Sequence, residues 1–340
     1  MEVKFKNCGT RVFMGNAWEL IAELAPVNEA IIITDINIEG LYGDHFPDYP
    51  VITIGTGEAV KELETVETII KHLVTIGADR SSFLLGIGGG LVCDITGFVA
   101  SIYMRGVNFG FVSTSLLSQV DASIGGKNGV NIKGVKNIVG CFKHPSFVIC
   151  DINMLKTLPD EEFISGLGEL VKHALILDSN FFESIENSIN SILDRNYDLL
   201  GELISKSIAL KASVVEKDEK EDGLRRVLNF GHTLGHAIET ATGSSHGLSV
   251  AAGMMTAVEI SNDEGLISRE ETERIRNTLK LLGLLPGIQT SWQNIGDKIL
   301  ADKKKQGNTI HFVLLNGIGR AIQKEYEIVE LIKKLKDKTG

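Results

Sequence analysis

Short apolar runs rich in β-branched residues alternate with helical patterns over the first 151 residues. Three of these runs predict β-strands, and each ends near a carboxylate or a glycine: residues 30–35, 51–58 and 83–90. Apolar residues spaced three and four positions apart follow the runs and predict helices. Strands that alternate with helices indicate a mostly parallel sheet with helices on both faces. We therefore expect an α/β domain over residues 1–151.

The periodicity changes after Asp151. From Pro159 onward the apolar residues recur every three or four positions, which predicts helices over residues 161–177, 180–193, 199–218 and 227–241. Only residues 309–319 have the pattern of an extended segment. We therefore place the domain boundary at 151–158 and expect a helical second domain over residues 152–340.

Composition and charge argue against several classes of protein. The 340 residues carry a formal net charge of −10, and the basic residues are scattered apart from 303–305, so we expect no nucleic-acid partner. No apolar run reaches the roughly 18 residues of a membrane span, and the N-terminus lacks the apolar core of a signal peptide. The four cysteines form no C-x-x-C pair, which favours reduced thiols. These features predict a cytoplasmic protein without a membrane partner.

Histidines are concentrated in one short stretch of the second half. His232 and His236 are four positions apart on a helical pattern, and His246 follows a short linker of small residues. Neutral imidazoles that converge in this way are common ligands of divalent metals. Glu169 and Lys172 lie three positions apart on an otherwise apolar helix, so Glu169 is a candidate third ligand. The spacing leaves open which histidines bind and whether Glu169 instead forms a surface salt bridge.

A glycine turn in the first domain is a candidate dinucleotide site. The third predicted strand ends in glycines at 88–90 before a helix, which leaves backbone N–H groups available to a pyrophosphate. The pattern G-x-G-x-x-G is absent because Leu91 occupies its last position, so a turn without a ligand is an equal alternative. Asp35 ends another strand and can accept hydrogen bonds from ribose hydroxyls. No Lys or Arg follows it closely to hold a 2′-phosphate, which favours NAD over NADP.

The segment 113–137 combines polar residues with glycines and predicts a long loop. It contains Asp121, Lys127, Lys136 and Asn137. A loop of this length inside a compact domain is usually functional, and either lysine could bind a phosphate. Two solvated lysines on a flexible loop are the alternative.

Taken together, these segments resemble the 3-dehydroquinate synthase family of sugar phosphate cyclases. The resemblance extends from about Asp35 to Gly319 and rests on these stretches, in this order: GIGGGLVCDITGF, YMRG, LLSQVDASIGGK, VKNIVG, TLPDEEFISGLGELVK, LRRVLNFGHTLGHAIE and HG. It implies a Rossmann-like, NAD-binding N-terminal domain and an all-helical C-terminal domain that binds Zn²⁺, with Co²⁺ as a second possibility. It also implies a homodimer in which Arg105 reaches the phosphate pocket of the partner subunit.

The resemblance also assigns individual residues to the site. The metal ligands would be Glu169, His232 and His246. The NAD contacts would be Asp35, Asn37, Glu58, Lys61, Gly89, Gly90, Asp94, Thr114, Ser115, Lys136 and Thr157. The substrate contacts would be Arg105, Asp121, Lys127, Asn137, Lys172, Lys211, Arg225, Asn229, His236 and Lys303. The catalytic candidates among them are His236, Lys172, Lys127 and Asn229.

Four positions depart from the family pattern. Ser113 and Ser115 replace a proline and a threonine, and Cys93 replaces a glycine beside the NAD turn. Ser115 retains a hydroxyl that can donate the same hydrogen bond. Leu248 replaces a glutamate two positions after His246 and so removes a carboxylate that could support this metal ligand.

The resemblance implies a phosphorylated sugar acid as substrate, 3-deoxy-D-arabino-heptulosonate 7-phosphate of the shikimate pathway. NAD would oxidise the C5 hydroxyl, which acidifies the C6–H bond so that phosphate can leave by β-elimination. Reduction, ring opening and an intramolecular aldol closure would then yield 3-dehydroquinate. The alternatives are an NAD- and metal-dependent polyol dehydrogenase of the glycerol dehydrogenase type, a sister cyclase and a nucleotide-binding scaffold. A polyol dehydrogenase needs no phosphate pocket, so the lysines and arginines of the resemblance argue against it.

Overall fold

The computed structural model describes residues 1–4, 9–26, 28–287, 295–296, 299 and 309–339. The chain forms two compact units. The first comprises Met1–Pro159 and Lys211–Lys220, and the second comprises Asp160–Leu210 and Glu221–Gly340. The sequence analysis places residues 211–220 in the second domain because they continue a helical pattern, whereas they belong to the first compact unit. The domain boundary at 151–158 stays a prediction.

A seven-stranded sheet forms the centre of the first unit. Its strands are β1 (Glu2–Lys4), β2 (Gly9–Met14), β3 (Ala30–Asp35), β4 (Val51–Ile54), β5 (Phe83–Gly88), β6 (Asn108–Ser113) and β9 (Phe147–Cys150). Their spatial order is β1-β2-β9-β6-β5-β3-β4, and every neighbouring pair is parallel except β1 and β2. The predicted strands are β3, β4 and β5, although β4 is shorter than its apolar run.

Helices cover both faces of this sheet because both faces are apolar. They are α1 (Ala17–Leu24), α2 (Ile36–Tyr42), α3 (Leu63–Thr75) and α4 (Gly90–Ile102). Leu85 of β5 packs in one core cluster with Ile21 of α1. The next residue, Gly86, faces Thr96 of α4, since successive strand residues point to opposite sides. The mostly parallel α/β fold is therefore confirmed.

The prediction of a long loop over residues 113–137 was wrong. This segment contains a π-helical turn over Ser118–Ala122, followed by an antiparallel hairpin of β7 (Lys127–Ile132) and β8 (Val135–Phe142). The glycines permit close strand pairing here, because a Cβ atom on Gly140 would lie 2.5 Å from the backbone oxygen of Asn128.

The second unit is mostly helical. The helices whose bounds lie in the described residues are α5 (Asp160–Leu177), α6 (Ser179–Asn187), α7 (Ile189–Leu193), α8 (Tyr197–Lys217, whose last residues belong to the first unit), α9 (His232–Thr242), α10 (His246–Asp263), α11 (Arg269–Leu281) and α12 (Ile328–Thr339). None of the helices in the described part of the chain combines the length and apolar character that a membrane crossing requires.

The second unit also contains an antiparallel hairpin, so the expectation of an entirely helical domain needs correction. The hairpin consists of β10 (Thr309–Leu315) and β11 (Ala321–Glu327). β10 corresponds to the segment that the sequence predicted as extended. β11 was missed because its sequence, AIQKEYE, is mostly polar and lacks a regular apolar alternation.

Candidate active site

A buried ion pair lies in the middle of α5. Glu169 is fully buried, and Lys172, one turn further along the helix, is 1% exposed and contacts the Glu169 carboxylate. The pair is therefore not the surface salt bridge that the spacing left as an alternative. Burying two charges is costly even when they are paired, so such a pair is weak evidence for a stabilising role. Its position instead indicates a functional site.

Two histidine rings face the same carboxylate oxygen of this pair. His232 and His246 are the first residues of α9 and α10, and Nε2 of each ring lies 3.6 Å from Oε1 of Glu169. Nδ1 of His232 donates to the backbone carbonyl of Phe230 at 3.1 Å, since a carbonyl can only accept. Nδ1 of His246 lies 3.2 Å from Oε2 of Glu239. Both rings thus have Nδ1 engaged and turn Nε2 toward Glu169.

Close backbone packing brings α5, α9 and α10 together. A Cβ atom on Gly247, in the first turn of α10, would lie 1.8 Å from the backbone oxygen of Ser165 in α5. Gly231 precedes α9 with a φ of +78°, and a Cβ atom there would lie 2.7 Å from the backbone oxygen of Val250 in α10. Only glycine permits these contacts. The positions of the two histidines therefore depend on glycines next to them in the chain.

The two rings titrate in different ranges. Burial and the ammonium group of Lys172 hold the pKa of His232 well below 6.5, so this ring is neutral near pH 7. Burial also disfavours the charged form of His246, but hydrogen bonds and charges from Glu169 and Glu239 outweigh burial and raise its pKa to about 9. A divalent cation needs both rings neutral, so its binding must displace a proton from His246.

His236 takes part in a second set of possible ligands. One ligand atom each from His236, Glu239 and His246 lies within 4.8 Å of the others, as is also true of Glu169, His232 and His246. The two sets share His246 and differ in burial, because His236 is exposed whereas Glu169 is fully buried. The structure thus brings all three histidines together, and the choice of His232 over His236 as ligand stays a prediction.

Glu239 is a site residue that the sequence reasoning missed. It lies three positions after His236 in α9 and supplies the carboxylate at Nδ1 of His246. A carboxylate in this place orients a metal-binding ring and increases its basicity. Leu248 removes the carboxylate that the family pattern places near His246, but Glu239 provides one. The spacing of Glu239 from His236 was the available signal.

Two further predicted substrate contacts lie just before α9, in a 3₁₀ helix over Leu224–Asn229. Arg225 is 2% exposed, which is unusual for a guanidinium group without a specific role. Asn229 donates from Nδ2 to Oε1 of Glu221 at 2.5 Å. Lys303, a third predicted contact, lies outside the described residues.

The turn between β5 and α4 has room for a ligand next to its backbone. Gly89 precedes the first residue of α4, and among the described residues beyond its chain neighbours only the side chain of Ser115 would lie within 4 Å of a Cβ atom placed there, whereas a Cβ atom on Gly90 would lie 3.1 Å from Cβ of Ala122. The free N–H groups at the start of such a helix suit an anion. Asp35 ends β3 and caps α2, where its Oδ1 accepts the backbone N–H groups of Asn37 and Ile38 at 2.9 and 3.1 Å.

Two further predicted NAD contacts follow the carboxyl ends of strands. Thr114, directly after β6, is buried. Thr157, after β9, forms a hydrogen bond of 2.6 Å with the hydroxyl of Tyr42 at the end of α2. The carboxyl edge of a parallel sheet is where α/β proteins bind their ligands, and Asp35, Gly89, Thr114 and Thr157 follow or end strands β3, β5, β6 and β9 at this edge.

A polar network connects several predicted contacts of the first unit. Lys61 is 6% exposed, and its Nζ donates to Asp94 of α4 at 2.5 Å and to Oδ1 of Asn137 in β8 at 2.7 Å. Nζ of Lys136 lies 3.9 Å from Oε1 of Glu58. The hairpin β7–β8 thereby brings residues from distant parts of the sequence next to α4.

The remaining predicted contacts of the first unit are charged. Nζ of Lys211 lies 2.7 Å from the carboxylate of Asp121 and also donates to its backbone carbonyl at 2.5 Å, whereas the side chain of Lys127 is exposed. Arg105 is exposed too, and it follows Met104 in a tight turn in which both residues have left-handed φ values, +69° and +49°. Non-glycine residues in this conformation carry strain that is common at functional positions.

Two family models match the chain in succession. The 3-dehydroquinate synthase N-terminal model matches residues 51–165, and the 3-dehydroquinate synthase C-terminal model matches residues 166–305. The chain belongs to the 3-dehydroquinate synthase family. This membership confirms the resemblance that the sequence motifs indicated.

Relatives and solved structures agree with this membership. A 3-dehydroquinate synthase from Acetivibrio thermocellus is 41% identical over 319 residues, which are 90% of this chain and 88% of that protein. The structure of a 2-deoxy-scyllo-inosose synthase with carbaglucose-6-phosphate, NAD⁺ and Co²⁺ superimposes with a TM-score of 0.90 at 26% identity and covers 99% of both chains. A 2-epi-5-epi-valiolone synthase from Streptomyces hygroscopicus, with NAD⁺ and Zn²⁺ bound, gives 0.87 at 25% identity over 98% of both chains. The two solved cyclases share the fold of this chain, but their sequences are less similar to it than that of the 3-dehydroquinate synthase from Acetivibrio thermocellus.

Proposed function

We propose that this protein converts 3-deoxy-D-arabino-heptulosonate 7-phosphate into 3-dehydroquinate and phosphate, as a lyase of aromatic amino acid biosynthesis. The observation that carries the proposal is the convergence of two histidine Nε2 atoms on the buried carboxylate of Glu169, beside the buried ammonium group of Lys172. All four residues lie within the sequence stretches that match the family: TLPDEEFISGLGELVK, LRRVLNFGHTLGHAIE and HG. Membership of the 3-dehydroquinate synthase family supports this substrate over those of sister cyclases.

NAD and a divalent metal ion, Zn²⁺ or Co²⁺, are the proposed cofactors. A carboxylate oxygen and two imidazole nitrogens within 4.8 Å of one another suit either ion, and Glu169, His232 and His246 would hold it. The open glycine turn before α4 suits the pyrophosphate of NAD. When bound, NAD takes up and returns a hydride, and the metal ion lowers the pKa of the substrate hydroxyl.

Cationic side chains are proposed to bind the anionic groups of the substrate. The planar guanidinium of Arg225 suits a carboxylate or a phosphate, because it can donate two parallel hydrogen bonds. Lys211 is held by Asp121 and therefore presents its ammonium group in a fixed position. The elimination expels phosphate, so cations that stabilise its departing charge lower the barrier.

His236 is the proposed proton carrier of the reaction. Its ring centroid lies 5.2 Å from that of His232 and 5.9 Å from that of His246, so it is close to both proposed metal ligands. Its side chain is exposed and can therefore exchange protons with solvent. A histidine in this place can hold the proton of a substrate hydroxyl and release it when the hydroxyl forms again.

The direct test is phosphate release by the purified protein supplied with NAD⁺, Zn²⁺ or Co²⁺ and 3-deoxy-D-arabino-heptulosonate 7-phosphate. The proposal expects stoichiometric phosphate and 3-dehydroquinate without accumulation of NADH, because the same cofactor molecule returns its hydride. Glucose 6-phosphate tests the sister-cyclase alternative, and glycerol tests the dehydrogenase alternative. Turnover of either compound without turnover of the heptulosonate phosphate would refute the proposal.

We also propose that the protein is a cytoplasmic homodimer. The exposed position of Arg105 in its strained turn supports the dimer, since strained backbone conformations are common at functional positions. Light scattering during size-exclusion chromatography measures the mass directly. A monomer at micromolar concentration, with full activity, would refute the dimer and the role of Arg105 in it.

A further inference from the structure

A buried asparagine connects a proposed NAD contact with a proposed substrate contact. Asn131 is 4% exposed and lies in β7. Its Nδ2 donates to Oε1 of Glu58 at 2.8 Å, and its Oδ1 accepts the backbone N–H of Asn137 at 2.8 Å. Neither the sequence motifs nor the family resemblance assigned a role to Asn131. Its side chain nevertheless uses both ends to hold residues of the proposed site.

The backbone of Asn131 is fixed as well. Its N–H donates to the carbonyl of Lys61 at 2.7 Å, and it forms a parallel bridge with Glu62. The pairing of β7 with β8 is irregular at this point, where Val130 pairs with Val139 but Ile132 pairs with Val135. Such irregularities redirect side chains and are frequent next to active sites.

Asn137 lies in the irregular part of β8 and is held from two sides. Its φ of +50° is left-handed, which asparagine tolerates better than most residues. The Asn131 side chain bonds to its backbone, and Nζ of Lys61 donates to its Oδ1 at 2.7 Å. Glu58, Asn131, Asn137 and Lys61 thus form a continuous chain of contacts within the first unit.

We propose that Asn131 is a positioning residue that couples NAD binding to substrate binding. The proposal rests on the proposed function, because it takes Glu58 as a contact of NAD and Asn137 as a contact of the substrate. Glu58, Asn131 and the backbone of Asn137 are hydrogen-bonded in series, so a shift of Glu58 when NAD binds is transmitted through Asn131 to Asn137. One side chain thereby positions both the cofactor contact and the substrate contact.

Two variants of Asn131 distinguish the hydrogen bond to Glu58 from the hydrogen bond to Asn137. Asn131→Asp keeps an acceptor for the N–H of Asn137 but places a carboxylate against Glu58. Asn131→Leu has a similar volume and removes both hydrogen bonds. Asn128→Asp is the matched control, because Asn128 lies on the same strand, is 6% exposed, and its side chain donates to the backbone carbonyls of Gly126 and Lys143 rather than to residues of the proposed site.

The measurements are the dissociation constant of NAD, by titration calorimetry, and the KM of the heptulosonate phosphate at saturating NAD. We expect Asn131→Asp to weaken NAD binding about tenfold while KM changes less than about threefold, as loss of a hydrogen bond to a charged group implies. We expect Asn131→Leu to weaken both by about tenfold. Asn128→Asp should lower the unfolding temperature and leave both constants within about threefold of the wild type.

Each outcome decides the proposal. Wild-type NAD affinity in Asn131→Asp overturns it, and so does an equal loss of NAD affinity in Asn128→Asp, which would reduce Asn131 to a stabilising residue of the hairpin. A wild-type protein that binds no NAD refutes the cofactor assignment and this proposal together. A wild-type protein that binds NAD but releases no phosphate refutes only the proposed reaction, and the NAD affinities of the variants still decide the role of Asn131.

Discussion

Nδ1 of His246 lies 3.2 Å from the Glu239 carboxylate, which can only accept a hydrogen bond while it is ionised. The ring therefore donates at Nδ1. Once Nε2, which lies 3.6 Å from Oε1 of Glu169, has lost its proton, its lone pair is available to a metal ion. A carboxylate behind a metal-binding histidine is a common means of holding the ring in place. Position 248, where the family pattern has a carboxylate, is Leu248, whereas Glu239, the last residue of the matched stretch LRRVLNFGHTLGHAIE, is retained and lies against this ring.

The first prediction concerns Glu239. Glu239→Ala removes the acceptor behind His246, so we expect metal affinity to fall by about 10–100-fold, as for other residues that orient metal ligands. Glu239→Gln, which keeps an oxygen acceptor, should recover part of this loss. Competition with a chromogenic chelator measures the affinity. Glu202→Ala, an exposed glutamate of α8, is the control, and equal affinities in all three variants would contradict the role of Glu239.

The second prediction concerns the buried pair of Glu169 and Lys172. Glu169→Gln leaves the Lys172 ammonium group buried without its carboxylate partner, and we expect the free energy of unfolding of the metal-free protein to fall by about 3 kcal/mol. The double variant Glu169→Gln/Lys172→Met removes both charges and should recover most of that loss. Urea denaturation measures both values. If the double variant were less stable than the single variant, the desolvation argument would be wrong.

The third prediction concerns the packing of α5 against α10. In Gly247→Ala the new Cβ atom would lie 1.8 Å from the backbone oxygen of Ser165, so the helices must separate. We expect a loss of roughly 3 kcal/mol or more and weaker metal binding, because His246 precedes this glycine. Gly243→Ala is the matched control: its φ is +70°, but beyond its chain neighbours no atom of the described residues lies within 4 Å of the new atom, so its cost should be about 1 kcal/mol without effect on the metal. Thermal unfolding and metal titration of both variants provide the comparison.

The fourth prediction concerns the pH dependence of stability. Burial raises the pKa of Glu264, but hydrogen bonds from Lys324, Tyr326 and Lys334 outweigh burial and lower it below its usual 4.5. A carboxyl group with a lowered pKa stabilises the folded state above the unfolded pKa, and this contribution is lost as the pH falls through the folded pKa. We therefore expect Glu264→Gln to cost about 2 kcal/mol near pH 7 and less below pH 4.5. A cost that stays constant down to pH 3 would contradict this account.

Three strands of the first unit, β3, β4 and β5, were predicted from the sequence, whereas the other four strands of the same sheet were not. β3 and β5 are buried along nearly their whole length and form almost continuous apolar runs, whereas β4 lies at the edge of the sheet and is only partly buried. The hairpin β7–β8 was predicted as a loop because its many glycines suggested flexibility. In the structure these glycines instead permit close strand pairing, and composition alone does not distinguish the two roles. β11 was missed for a related reason, since an edge strand with polar side chains carries little periodic signal.

The site was only partly predictable from residue spacing. His232 and His236 share a helix face at a spacing of four, but nothing in that spacing distinguishes the ring that faces Glu169 from the ring that does not. Glu169 and Glu239 converge on His246 from different helices, and such contacts depend on helix packing. The family resemblance supplied what spacing lacked, although Glu239 and Asn131 became apparent only from the contacts of their side chains.

The most direct test of the central claim is the metal content of two histidine variants. Purified His246→Ala and His236→Ala are loaded with Co²⁺ under identical conditions, and bound metal is counted by elemental analysis after gel filtration. The account predicts that His246→Ala loses the ion and that His236→Ala retains one ion per chain while phosphate release falls. Equal loss of metal from both variants, or loss from His236→Ala alone, would contradict the assignment of Glu169, His232 and His246 as the ligands.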